Sequence, residues 1–320
     1  MTTMRAMATD RVGAGATLRP HTLPMREPGA GEVLIKVMAT AVSPADLGML
    51  AGRYRWYDEL RLPLVPGYDV AGVVEAGDWE RGAAVIASTG HSRTQVGSYA
   101  EYVTLPASYV APKPANLDWA EAATLPLAAL TAHQALELLD LHPGQSLLVN
   151  APRGAVGRFT TQLAQAAGIT VLTPDAAVVG AGGLVGGAGV PVGEAGVPVV
   201  GPGGPVVGAG GGVGWVDAAL DVVGGERARR AFAAVRDGGA YVTVVPEFWV
   251  PGGQFTPERG ITPQLVRAEP SGARLTAISR AAEAGQLTAT VAKTLPLTEA
   301  QQALDLLASG GVRGKIVLLP

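Results

Sequence analysis

The chain has 320 residues and a formal net charge of −3, and its 24 Lys and Arg residues are scattered rather than clustered. This length predicts two domains, and the lack of a basic stripe argues against nucleic-acid and membrane partners and favours a small-molecule substrate. Without cysteine, and with only four histidines far apart in sequence, a disulfide, a thiolate nucleophile and a cysteine zinc site are excluded, and we expect no metal.

The first third of the chain is predicted to be rich in β-structure. Its N-terminal stretch contains no long apolar segment, so we expect a cytoplasmic protein. Runs of β-forming residues bounded by Pro and Gly predict strands at residues 32–41, 68–74, 83–87 and 99–103.

The sequence pattern changes at Trp119, because from there apolar residues recur near helical spacing. The segment 119–140 is therefore predicted to be helical, and it ends in the turn sequence LHPGQ. The apolar positions of this pattern are Leu125, Leu130, Ala135, Leu136 and Leu139.

Residues 146–175 read as a strand, a glycine turn, a helix and a second strand, which is the pattern of a dinucleotide site. Leu147, Leu148 and Val149 form an apolar run suited to a strand covered on both faces. Small residues follow at the turn, and the helix N-terminus would present free amides to phosphate. We expect the helix to bury Phe159, Leu163 and Ala166 or Ala167, and to stop at Gly168. The small residues of the turn are Ala151, Gly154 and Gly157.

The rest of the chain alternates between strands and helices, which predicts an α/β fold with a parallel sheet. Thr298 is expected to cap the last helix. The predicted strands are 218–223, 240–245 and 314–320, and the predicted helices are 226–235, 273–284 and 298–308.

The segment 178–214 is atypical, because it consists almost wholly of Gly, Val, Ala and Pro and carries Glu194 as its one charge. Short strands, a collapsed loop and disorder all stay open for it, since ordering many glycines is costly. A membrane span is excluded, because its four prolines and repeated glycines would break the helix that a bilayer requires.

The order of motifs resembles the medium-chain dehydrogenase/reductase superfamily, in its zinc-independent quinone and enoyl reductase branch. The motifs are PGAGEVLIKVMATAVSPAD, PGYDVAGVV, GSYAEYVTLPA, LPLAALTAHQAL, APRGAVG, LDVVGG and VRGKIVL. The resemblance implies a GroES-like β-rich domain, residues 1–119 and 261–320, and a Rossmann domain with a doubly wound parallel sheet, residues 120–260. Zinc-using relatives have Gly-His-Glu where this chain has PGYD, so Tyr68 and Asp69 fit the metal-free branch.

The same resemblance, together with the positions of residues beside the predicted strands, gives the predicted site residues. Thr131 would lie beside the nicotinamide, although a helix hydroxyl also bonds its own backbone. Tyr54 would face the substrate as a proton donor or serve only in packing, and Ser43 stands where relatives have Asn. Tyr68, Phe248 and Trp249 would contact substrate, with a partner interface as the alternative for Phe248 and Trp249. Arg153, inside the glycine turn, would pair with a phosphate or point to water. The predicted cofactor contacts are Ser43, Thr131, Ala151, Arg153, Gly154, Val156, Gly157, Asp175, Val223 and Lys315.

The nucleotide could be NADH or NADPH. Asp175, at the end of the second strand, is placed to hold a ribose diol and disfavour a 2′-phosphate, although such an Asp is also a common turn former. Residues that grip the phosphate of NADPH in relatives are missing from 176–214.

Two functions stay open at this point. One is reduction of an activated C=C bond or a quinone by hydride transfer. The other is a relative with impaired cofactor binding, in which the cleft serves an isomerisation, a cyclisation or binding. The resemblance also implies a homodimer.

Overall fold

The computed structural model describes residues 2–53, 60–173, 206–207, 213–245 and 257–320, with the backbone alone at 206–207 and 213–214. The predictions for Tyr54, Asp175, Phe248 and Trp249, and those for 178–205 and 208–212, lie outside these residues. In chain order the strands are β1 (Thr3–Ala8), β2 (Arg19–Pro24), β3 (Glu32–Ala41), β4 (Asp69–Gly77), β5 (Ala84–Ser88), β6 (Tyr102–Pro106), β7 (Val110–Pro112), β8 (Ser146–Val149), β9 (Thr170–Leu172), β10 (Val206–Val207), β11 (Val213–Gly214), β12 (Val216–Asp221), β13 (Val235–Thr243), β14 (Gln264–Leu265), β15 (Val291–Pro296) and β16 (Lys315–Leu319). The helices are α1 (Pro44–Leu50), α2 (His91–Thr94), α3 (Trp119–Ala122), α4 (Pro126–Leu139), α5 (Ala155–Ala166), α6 (Gly225–Ala233), α7 (Gly272–Glu283) and α8 (Ala300–Ser309).

Contacts within the chain divide it into two compact units. One combines both chain ends, residues 1–130 and 268–320, and the other contains residues 131–267. The first unit is built on a sheet with the strand order β15-β16-β3-β4-β5-β7, in which β6 also pairs with β3. Strand β3 has the predicted bounds, whereas β6 begins three residues later than predicted because the Tyr99 N–H donates to Pro66 O outside the ladder.

The second unit contains a parallel five-stranded sheet with the order β14-β13-β12-β8-β9. Alternate residues of β8 enter two different apolar clusters: Leu147 and Val149 pack with α4 and α5, and Leu148 packs with α6. Because successive side chains of a strand point to opposite faces, the sheet is covered on both sides. The predicted doubly covered parallel sheet is confirmed.

Three further local predictions were wrong. The segment 119–140 is two helices, since the residue before Pro126 is disfavoured in the α conformation and the chain restarts with proline at the first position of α4. Thr298 does not cap α8, because a 3-10 turn over Leu297–Glu299 runs directly into that helix. Ala166 and Ala167 are exposed, and α5 buries Ala164 beside Phe159 instead.

Candidate nucleotide and active site

The glycine turn lies at the carboxyl end of β8, where the strand order reverses. From β8 the sheet continues to β9 on one side and to β12 on the other, and such a switch point is where open α/β sheets bind ligands. Helix α5 starts there with Gly154 as its N-cap, a residue without a side chain to bond the first amides. The twelve-residue helix therefore directs its first N–H groups and the positive end of its dipole at the turn.

The two glycines of the turn do different things. A Cβ at Gly157 would lie 2.1 Å from Ala151 O and 2.9 Å from Pro152 Cα, whereas the nearest atom to a Cβ at Gly154 is that same oxygen at 3.7 Å. Gly157 is thus required for the turn to close, while Gly154 leaves its outer side open. These residues fit the pyrophosphate of a dinucleotide. Arg153 is exposed on the turn and Val156 is half-buried in the first turn of α5.

A buried polar network joins the carboxyl ends of three neighbouring strands. Asp221 Oδ1 accepts from Asn150 Nδ2 at 2.5 Å, and Asp221 Oδ2 accepts from Thr243 Oγ1 at 2.7 Å. Asn150 Oδ1 in turn accepts from the Val222 N–H at 2.9 Å, beside Val223, which is 46% exposed. Sequence reasoning missed this network. The available signal was a polar residue at the end of each apolar run, in LLVN and AALD.

Lys315 forms a buried ion pair. Its Nζ donates to Asp69 Oδ2 at 2.8 Å, with side chains 7% and 0% exposed, and Asp69 Oδ1 accepts from the Leu127 N–H at 2.6 Å. Leu127 is the second residue of α4, so Asp69 caps this helix from a strand far away in sequence. Thr131 lies one turn further along α4 and is 7% exposed. Both oxygens of Asp69 are therefore already engaged.

A second buried carboxylate organises the loop that carries Ser43. Asp46 accepts from the Ser43 N–H at 2.8 Å, the Gly67 N–H at 3.0 Å and the Tyr99 hydroxyl at 3.0 Å. Complete burial raises the pKa of Asp46 to about 7, against the lowering effect of the Ser43 N–H and of Lys315. Ser43 is the N-cap of α1, and it is 6% exposed. Asp46 and Asp69 therefore both organise backbone, Asp46 at Ser43 and Gly67 and Asp69 at Leu127.

Tyr68 packs mainly against the protein, since it is 8% exposed and belongs to an apolar cluster with Met49 and Leu64. Its ring centroid lies 5.7 Å from that of His91, whose Nε2 donates to Val65 O at 2.7 Å. Burial lowers the pKa of His91 to about 4, so the imidazole is neutral near pH 7. A substrate contact from Tyr68 stays a prediction.

The structure brings the predicted site residues together in two sets. Ala151, Arg153, Gly154, Val156 and Gly157 share the turn, and the bond from Val222 to Asn150 brings the loop of Val223 to its start. In the other unit, Asp46 and Asp69 link Ser43, Tyr68 and Lys315 through the segment Gly67–Asp69. The cofactor and substrate roles of these residues stay predictions.

Among the residues that the structure describes, no group of three His, Cys, Asp or Glu side chains is placed to hold a metal ion. In the same part of the chain, no helix has both the length and the apolar character needed to cross a membrane.

Comparison with known proteins identifies the family. The alcohol dehydrogenase GroES-like domain matches residues 29–115, and the zinc-binding dehydrogenase family matches residues 207–318. A probable zinc-binding oxidoreductase of Arthroderma benhamiae is 30% identical, covering 99% of this chain and 96% of its own. The fold and the glycine turn are those of a two-domain protein of the dehydrogenase type. The chain belongs to the medium-chain dehydrogenase/reductase superfamily, in its quinone oxidoreductase-like branch.

Two further relatives refine the comparison. The NADPH-dependent alkenal/one oxidoreductase of Arabidopsis thaliana is 41% identical over 143 residues, which are 42% of this chain and only 37% of the plant protein. The structure of a quinone oxidoreductase from Coxiella burnetii superposes over both complete chains with a TM-score of 0.78 at 24% identity. The latter likeness shows the shared fold.

Proposed function

We propose that the protein is a zinc-independent NAD(P)H-dependent oxidoreductase that reduces an activated C=C bond, as in an enone or enoyl group, or a quinone by hydride transfer. The observation that carries this proposal is the glycine turn at the switch point of the parallel sheet, where Gly157 leaves no room for a side chain and α5 begins with a glycine N-cap. The 41% identity to a plant alkenal/one reductase over part of the chain supports an enone as the substrate class.

The donor set around Asp69 supports chemistry without zinc. The 320-residue sequence has no cysteine, and Tyr68 stands before Asp69 where zinc-using relatives have histidine before glutamate. Both oxygens of Asp69 are engaged, one by the Lys315 ammonium and one by the Leu127 N–H. The ammonium group of Lys315 thus lies beside the Asp69 carboxylate. This arrangement does not fit the ligand set of a zinc ion.

In this proposal the residues of the chain have different roles in binding and catalysis. The α5 amides and the glycine turn would bind the pyrophosphate, and Thr131 would contact the nicotinamide. Asp69 and Lys315 would act on Thr131 through α4, since the Asp69–Lys315 pair holds the Leu127 N–H in the first turn of that helix. A bound nucleotide would supply the hydride. Side chains of the substrate pocket, with Tyr54 as the predicted donor, would stabilise the developing enolate oxygen and deliver a proton. In this proposal residues 1–119 and 261–320 form the substrate domain and residues 120–260 the nucleotide domain, and the protein is a cytoplasmic homodimer.

The test is a titration of the purified protein with NADH and with NADPH, followed by nicotinamide fluorescence, and then turnover with a 2-alkenal and with a quinone. Gly154→Leu should weaken nucleotide binding at least about tenfold while leaving the urea midpoint nearly unchanged, because the new side chain enters the open side of the turn. The proposal is wrong if neither nucleotide gives a saturable signal at millimolar concentration. That outcome would favour the non-redox relative. The titration also decides between the NAD suggested by Asp175 and the NADPH used by the plant relative.

A further inference from the structure

Strand β12 carries an aspartate at each end, and each one cross-links the strand to both of its neighbours. At the amino end, Asp217 Oδ2 accepts from the N–H and the hydroxyl of Ser146, both at 2.8 Å, and Asp217 Oδ1 accepts from Arg236 Nε at 2.9 Å. At the carboxyl end, Asp221 accepts from Asn150 and Thr243. At each end of β12, the aspartate thus accepts hydrogen bonds from a residue at the same end of β8 and from a residue of β13.

Only the carboxyl-end network also holds loop backbone. Asp221 Oδ1 accepts from the Val223 N–H at 3.0 Å and the Gly224 N–H at 2.8 Å, and Asn150 Oδ1 accepts from the Val222 N–H at 2.9 Å. Gly224 is the N-cap of α6 and has a φ of +79°, a left-handed conformation that other residues rarely adopt. The loop between β12 and α6 is therefore held in shape by two buried side chains.

The same two side chains fix the start of the glycine turn. Asn150 is the residue directly before Ala151, it is 3% exposed, and its own N–H donates to Leu220 O at 3.2 Å. Its side chain donates to the Asp221 carboxylate and accepts from the Val222 N–H. Asn150 therefore bonds the start of the glycine turn to Val222, the first residue of the loop between β12 and α6. Any movement of Asn150 would shift the glycine turn relative to the loop that presents Val223.

We propose that Asn150 and Asp221 are positioning residues for nucleotide binding, holding the glycine turn and the loop Val222–Gly224 at the spacing that admits the cofactor. The inference rests on the proposed function, because it assumes that a dinucleotide binds at this edge. Neither side chain needs to touch the nucleotide, since both are buried and their hydrogen bonds go to backbone, to Thr243 and to each other.

The chain offers matched controls on the same two strands. Ser146→Ala removes the side-chain bonds at the amino end of β8, and Asn150→Ala removes those at its carboxyl end. Both variants should lower the urea midpoint, because each breaks hydrogen bonds of a part-buried or buried network. Only Asn150→Ala should raise the nucleotide Kd, by about tenfold or more, and raise KM for the nucleotide with a smaller effect on kcat.

A second pair keeps the test valid if Asn150→Ala does not fold. Asp221→Asn retains one oxygen for the amides of Val223 and Gly224 and should raise Kd about threefold or more, whereas Asp217→Asn should leave Kd unchanged. Hydrogen exchange of the nucleotide-free protein adds an independent readout, in which the Val222–Gly224 amides should exchange faster in Asn150→Ala than in Ser146→Ala.

The outcomes separate the two proposals. If the wild type binds nucleotide and the variants at the two ends of the sheet change Kd equally, the positioning role is wrong and the proposed function stands. If the wild type binds neither nucleotide, both are wrong. A rise in Kd confined to the carboxyl-end variants, together with faster loop exchange, supports the assignment.

Discussion

Replacing Gly157 by alanine should destabilise the protein, although a glycine-to-alanine change within a helix ordinarily stabilises it. Gly157 is the third residue of α5, where alanine would gain about 1 kcal/mol of helix propensity. The new Cβ, however, would lie 2.1 Å from Ala151 O, so helix and turn must separate by about 1 Å to restore normal contact. Overpacking of this kind costs about 1–3 kcal/mol, and here the obstacle is backbone that cannot rotate away. A cost at the upper end of this range, about 3 kcal/mol, less the gain of about 1 kcal/mol in helix propensity gives an expected net loss of about 2 kcal/mol.

The measurement is urea-induced unfolding followed by circular dichroism, with nucleotide affinity measured on the same samples. Gly154→Ala is the matched control, because its Cβ meets nothing closer than 3.7 Å and its φ of −73° suits any residue. The control should change the free energy of unfolding by less than about 1 kcal/mol. If Gly157→Ala is as stable as the wild type and binds the nucleotide equally well, the turn can open without cost. The claim that the turn requires glycine at position 157 would then be wrong.

Two further predictions concern the buried charges of the first unit. Lys315→Met should cost about 3 kcal/mol or more in unfolding experiments, because it leaves the Asp69 carboxylate buried without its cation, and Asp69→Asn in the same chain should recover at least about 2 kcal/mol of that loss. Arg230→Met is the control, because it breaks the exposed Arg230–Glu226 ion pair, and it should change the free energy of unfolding by less than about 1 kcal/mol. An equal loss in Lys315→Met and Arg230→Met would contradict the argument from burial. Because the folded-state pKa of Asp46 is raised from 3.8 to about 7, its contribution to stability is fully present below about pH 4 and is lost as the pH rises to about 7. Asp46→Asn should therefore become more stable relative to the wild type from about pH 5 to about pH 8, and a pH-independent difference would refute the raised pKa.

Much of the second unit could be predicted from local sequence. The apolar run of Leu147, Leu148 and Val149 predicts a strand covered on both faces, and the small residues at 151, 154 and 157 predict the turn that follows it. These features depend on neighbouring residues in the chain, so periodicity and steric rules are sufficient to find them. The segment around Leu125 shows the limit of such rules. Leu125 fits the helical spacing of apolar residues, but Pro126 after it divides the predicted helix into α3 and α4.

The sequence by itself determined the fold class, the family and the position of the glycine turn, because short-range patterns and motif order carry that information. Only the tertiary structure revealed what holds the site. The Asp69–Lys315 pair joins residues 246 positions apart, and Asn150 meets Asp221 across 71 positions. A buried polar group needs a partner, but which partner it meets depends on strand order and register, and no local pattern encodes either.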